Sequence, residues 1–165
     1  MNTKRIYWGL MITAAMVIST TLTQESQAAE PPKTAIVGSW IETITISGPG
    51  ARPPFKSLSV YNEGGGVVAS DQGNVTLNPP QSFSSGAGAW TYLGGRTFAW
   101  TVVELISDLD GNLVGTLKVR GESTLDQSGN NYSSRWHAEA VDPNGQLLFS
   151  ADGTNVGQRI LVERM

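Results

Sequence analysis

Between residues 117 and 126, Leu117-Lys118-Val119-Arg120-Gly121-Glu122-Ser123-Thr124-Leu125-Asp126, the odd positions are apolar or small and the even ones mostly charged. That period of two sets one face of a strand against a core and the other in water. Beyond the next turn, Tyr132, Ser134, Trp136, Ala138 and Ala140 share one face, while Ser133, Arg135, His137 and Glu139 take the other. No window shows the i, i+3, i+4, i+7 apolar spacing of a helix. Turn residues punctuate the pattern regularly and predict strands at 38–47, 55–62, 66–70, 87–93, 96–107, 113–126, 131–141 and 146–151, with the last strand ending near residue 163. The Gly94-Gly95, Asp110-Gly111-Asn112, Ser128-Gly129-Asn130 and Asp142-Pro143-Asn144-Gly145 segments are the turns between the later strands. Residues 71–86, with Asn78-Pro79-Pro80, form the least regular stretch and are expected to be a long loop holding a weak extended piece.

The prediction is therefore an all-β protein, an antiparallel up-and-down meander of about 8–9 strands. Such a meander buries one face either by rolling shut as a barrel or by folding into a two-sheet sandwich. Short connections and a single wet face favour the barrel. Small residues on the buried face, Gly121 and Ser123 among them, would leave space for an internal cavity.

The N-terminus follows a different rule. Lys4 and Arg5 precede an uncharged run from Ile6 to Leu22, followed by polar residues and the small pair Ala28-Ala29. This is the layout of a removable secretory signal over residues 1–29, cleaved near Ala28 or Ala29. As a membrane anchor the run is at the short limit for a hydrocarbon core of about 30 Å. A secreted or periplasmic product is expected. Residues 30–34, with Pro31-Pro32, read as an extended arm, and 35–165 as a single domain.

Removing residues 1–29 takes away Lys4, Arg5 and Glu25, so 11 basic and 14 acidic side chains become 9 and 13, a net charge of −4. That balance argues against nucleic acid, and against membrane after signal cleavage, as partners. The chain has no cysteine, which removes disulfides, thiolate metal ligands and lipid-modified cysteine from consideration. His137 is the only histidine, so a zinc site built on several imidazoles is excluded. Asp108-Leu109-Asp110-Gly111-Asn112 has a hint of calcium spacing but lacks the distal glutamate, and reads better as a hairpin turn. No metal is expected, and no nucleotide, haem or flavin motif suggests a cofactor.

Glu104 is the carboxylate of most interest, because it shares a strand face with Phe98, Trp100, Val102 and Ile106. If that face is inward, burial would raise its pKa and fit it for general acid or base chemistry. The opposite face, with Ala99, Val103 and Leu105, is apolar enough to be the inner one instead, leaving Phe98 and Trp100 as an outer patch suited to a homodimer. Glu42 lies on Trp40's face and raises the same question. Two inward carboxylates would call for a cation, with Arg96 or Arg120 as candidates, although their patterning suggests solvent. Arg135, His137 and Glu139 alternate along one strand and read as a solvated outer face. Trp40, Trp90, Tyr92, Phe98, Trp100, Tyr132 and Trp136 are the aromatic residues able to line a ligand cavity or fill a core.

Gly38-Ser39-Trp40 at the head of the first strand resembles the Gly-x-Trp of lipocalins and their calycin relatives. Arg159 near the end of the last strand is similar to the basic residue that in lipocalins stacks on that tryptophan. The segments 53–58 and 94–99 look like those of bacterial exported lipocalin-like domains. The resemblance implies a closed barrel with Trp40 and Arg159 pairing across its closed end. It also implies a small apolar or aromatic ligand in the cavity, with the 71–86 loop near the mouth. Two other readings stay open: a cyclase- or isomerase-type enzyme using the same cavity with Glu104 as general acid/base, and a β-barrel interaction module.

Overall fold

The structure, a computed structural model, describes residues 32–49, 51–72 and 80–164; the expected signal segment 1–29 and the first residues of the arm lie outside the described residues. Nine strands follow in chain order: β1 Gly38–Ile46, β2 Phe55–Tyr61, β3 Gly66–Asp71, β4 Ser82–Phe83, β5 Gly86–Gly94, β6 Thr97–Ser107, β7 Leu113–Leu125, β8 Asn131–Val141 and β9 Leu147–Arg159. Every pairing is antiparallel. The run β6-β5-β3-β2-β1-β9-β8-β7 is closed by the pairing of β6 with β7, so eight strands form a complete barrel. Closure removes both sheet edges, the usual weak point of an antiparallel meander. β4 is the weak extended piece of the 71–86 stretch. It pairs Ser82 with Ser107 and Phe83 with Ile106, beyond the point where β5 begins, and so extends the β5 lane towards one end of the barrel.

Two boundaries differ from the sequence expectation by more than a residue. The strand expected at 146–151 and the last strand are one continuous β9, because it pairs with β8 along its length and with β1 from Gly153 onward. β9 stops at Arg159 rather than near 163, since Arg159 already faces Trp40 and β1 begins only two residues earlier. Residues 33–36 form a turn, held by Ala35 N–H to Pro32 O at 2.8 Å and Val37 N–H to Thr34 O at 2.9 Å.

That turn closes one end of the barrel. Ile36 is fully buried and accepts a hydrogen bond from the Trp40 indole through its carbonyl at 2.9 Å. The Arg159 guanidinium lies 4.3 Å from the Trp40 ring centroid and donates to the carbonyls of Val37, Ala35 and Gly129. Gly38 makes this possible: its φ of 135° is costly for a side chain, and a Cβ there would sit 2.6 Å from the Arg159 Nη1. Phe98, Leu125, Tyr132, Tyr61 and Val67 complete the hydrophobic core at this end. At the opposite end lie the last residues of β1, β3, β6 and β8 and the first residues of β2, β5, β7 and β9.

The space left by inward glycines is taken by rings on the neighbouring strands. Trp100 faces Gly121, Trp136 faces Gly153 and Tyr132 faces Gly157 across the ladder, and a Cβ on any of the three glycines would run into the ring beside it. The cavity is therefore not opened by Gly121, contrary to the expectation from its size. Space remains nearer the open end, where Ser57, Ala69, Ala138 and Ala151 point inward.

Candidate functional site

A cavity of about 430 Å³ occupies the barrel between this core and the open end. Its volume falls within the range of about 300–1,000 Å³ common for small-molecule pockets. The walls are apolar and aromatic, with Trp100, Trp136, Phe83, Phe149 and Phe55 among them. Of the sequence-selected aromatics, Trp100 and Trp136 line the cavity. Trp40, Phe98 and Tyr132 are in the closed-end core, and Trp90 and Tyr92 pack against that core through tilted and edge-on contacts with Phe98. The aromatic residues are thus divided between core and cavity.

Phe98, Trp100, Val102, Glu104 and Ile106 form the inward face of β6, while Val103 and Leu105 face out. Phe98 and Trp100 consequently do not form an outer patch. Glu104 is only 7% exposed and lines the cavity. Burial, reinforced by the negative charge of Asp71 and partly offset by Arg52, raises its pKa to about 7. Burial also raises Asp71, although the neighbouring Ser57 hydroxyl and the charge of Arg52 pull it back.

The cation near Glu104 is Arg52. Arg96 instead donates to the Asp126 carbonyl at 2.6 Å, and Arg120 pairs with Glu139 on the outer wall. Arg52 belongs to the β1–β2 connection, and its guanidinium carbon lies 3.3 Å from the centroid of the Phe55 ring. Sequence reasoning missed both Arg52 and Asp71. Extending the β3 alternation Val67, Ala69 by one step would have placed Asp71 inward. Arg52 had no such periodicity, because it precedes the first residue of β2 in a proline-rich turn.

Deeper in the cavity, Glu42 is buried and its carboxylate accepts hydrogen bonds from the Ser59 hydroxyl and the Asn155 side-chain amide. Asn155 Oδ1 has no hydrogen-bond partner, nor do the Tyr132 hydroxyl and the Trp136 indole nitrogen. The Tyr132 hydroxyl is near Tyr61, Ser59 and Glu42 without hydrogen-bond geometry to any of them. Burial keeps both the Tyr61 and Tyr132 phenols well above their ordinary pKa, so both are neutral. Beside them, Ser123 and Ser134 share a hydrogen bond at 2.6 Å, and Ser123 also accepts from the Trp100 indole at 2.9 Å.

Arg135, His137 and Glu139 lie on the outside of β8, and the first two line a wide and shallow depression of the barrel wall. The His137 ring nitrogen Nδ1 is 2.9 Å from Asp152 and Nε2 is 3.6 Å from Glu139, and the Asp152 hydrogen bond raises the imidazole pKa. With His137 and Arg120 paired in this way, the depression has the character of a solvated surface network. Asp108 likewise serves a turn: its carboxylate accepts from the backbone N–H groups of Asp110 and Asn112 and from the Asn112 amide. Among the described residues no three histidine or acidic side chains converge in a metal-binding arrangement.

Fold and site together define an eight-stranded antiparallel β-barrel with one plugged end and an internal cavity whose lining is aromatic and acidic. Compared with known protein families, curated proteins and solved structures, the chain matches none.

Proposed function

We propose that this is an exported, lipocalin-like protein that holds a small apolar or aromatic ligand inside its barrel. The observation that carries the reading is the cavity of about 430 Å³, closed at the Trp40 end and walled by Trp100, Trp136, Phe83 and Phe149. Such a space is retained at a cost in packing, since filling it with protein atoms would stabilise the fold. The arrangement of Gly38, Trp40 and Arg159 supports the likeness to lipocalins, and the layout of residues 1–29 supports export. Ala69 lines the cavity, so Ala69→Phe fills part of it. This variant is expected to keep the far-ultraviolet circular dichroism of the barrel while weakening binding of a fluorescent naphthyl probe at least about tenfold, a loss of about 1.4 kcal/mol. Undiminished probe binding by the folded variant would overturn the reading.

A second reading is favoured by one group. Glu104, buried in the cavity wall with a pKa of about 7, has the proton affinity of a general acid or base working near neutral pH. In an isomerase- or cyclase-type reaction it would take a proton from one atom of the bound ligand and return it to another, with the walls holding the ligand's reactive conformation. Glu104→Gln is expected to preserve ligand binding and reduce turnover at least about a hundredfold. Equal turnover by the variant would leave binding as the activity.

A further inference from the structure

The charges inside the barrel do not balance. Among the described residues that line the cavity, Glu42, Asp71 and Glu104 are acidic and Arg52 alone is basic. Arg52 lies at the open-end side with Asp71 and Glu104 as its charged neighbours, which leaves Glu42 without a cationic partner deeper in the barrel. The two groups that donate to Glu42, Ser59 and Asn155, are neutral and each only 3% exposed.

Asn155 supplies an independent observation. Because its amide nitrogen is committed to the Glu42 carboxylate, the orientation of the side chain is fixed, and its oxygen is left as a buried acceptor with no donor. Native proteins rarely leave such an acceptor unsatisfied, and a bound guest is one of the things that satisfies it. The residue lines the cavity, as do Glu42, Trp100 and Trp136.

Resting on the binding function above, we propose that the ligand is an amine: a protonated ammonium group on an apolar or aromatic body. The ammonium lies against Asn155 Oδ1 and the Glu42 carboxylate, and the body lies against Trp100 and Trp136. An ammonium carries several N–H donors and a positive charge, so it meets the orphaned acceptor and the unbalanced carboxylate together. A carboxylate ligand would add another negative charge to a cavity that already holds three acidic groups, and a neutral hydrocarbon would leave Asn155 unsatisfied.

The test compares three probes that share one ring system: 1-naphthylmethylamine, 1-naphthylmethanol and 1-naphthoic acid. Each is titrated into the full-length expressed protein at pH 7.5 by calorimetry, with tryptophan fluorescence in parallel. The amine is expected to bind at least about tenfold tighter than the alcohol, with the acid weakest. Glu42→Gln is expected to remove most of that preference while changing the affinity for the alcohol less than about twofold. If the alcohol or the acid binds as tightly as the amine, the amine inference falls and the binding function stands. If none of the three binds at millimolar concentration, the binding function falls and the inference with it. The wild-type comparison decides the matter even if Glu42→Gln does not fold.

Discussion

Glu104 shows how one residue acquires its chemistry from its surroundings. Its carboxyl is removed from water and faces Asp71, and Arg52 compensates only in part. Below pH 4.5 it is protonated in both folded and unfolded chains. Between 4.5 and about 7 the folded protein keeps a proton that the unfolded chain releases, so this group's contribution to stability falls as pH rises through that window and is level above it. The shift is worth about 3 kcal/mol. Glu104→Gln cannot ionise and should lack this decline: relative to the wild type, it should be about 3 kcal/mol more stable at pH 8 than at pH 4, as measured by urea unfolding. Parallel pH profiles for the two proteins would show that burial does not perturb Glu104. At the other end of the barrel, Arg159 acts through geometry. Its three carbonyl bonds and its stacking on Trp40 tie the 33–36 turn to β1 and β9. Since the group is only part-buried, Arg159→Ala should cost about 2–3 kcal/mol in denaturant melts, less than the sum of its bonds taken separately. Arg159→Lys should recover less than half of the loss, because a single ammonium cannot reproduce a planar fork of donors.

At the level of strands, the stability of the wall depends on pairing a ring with a glycine. β6 and β8 carry Trp100, Trp136 and Tyr132, while β7 and β9 carry Gly121, Gly153 and Gly157 opposite them. Glycine normally weakens a strand, but here each ring covers the backbone that the missing side chain exposes. Gly153 is the tightest case, since an added Cβ would meet both the Trp136 ring and the Thr45 carbonyl oxygen on β1. Gly153→Ala should therefore destabilise the barrel by about 1–3 kcal/mol despite alanine's better strand entropy. Ser133→Ala, on the exposed face of β8, should be nearly neutral in the same urea titration. If Gly153→Ala were as stable as the wild type, the Trp136 ring would have to be free to move aside.

Across the whole molecule, closure separates two tasks. The plugged end concentrates the fully buried rings, with Trp40, Tyr132, Phe98 and Ile36 packed around the Arg159 tie. The open end keeps a cavity and its ionisable groups. A chain with no disulfide must obtain its stability from packing and from its continuous ladder. The long β6–β7 and β8–β9 pairings supply much of that ladder, and the core at one end permits incomplete packing at the other.

The sequence by itself determined most of the strands, their meander order and, where one side of a strand is clearly polar, the face it presents. Those follow from neighbours two residues apart and from turn residues, which are local properties of the chain. The alternation around Trp136 and the turn at 128–130 place β7, β8 and the side chains on each face within a residue or two of the structure. Only the tertiary structure decided which face of β6 is inward, because both faces are apolar enough and local periodicity is indifferent between them. It also decided that Arg52, rather than Arg96 or Arg120, accompanies Glu104, since the β1–β2 connection reaches β6 only when the barrel closes. Finally, it divided the aromatic residues between core and cavity. That division depends on how far along the barrel axis each ring sits and on which glycine faces it across the ladder, and both are set by register between strands distant in sequence.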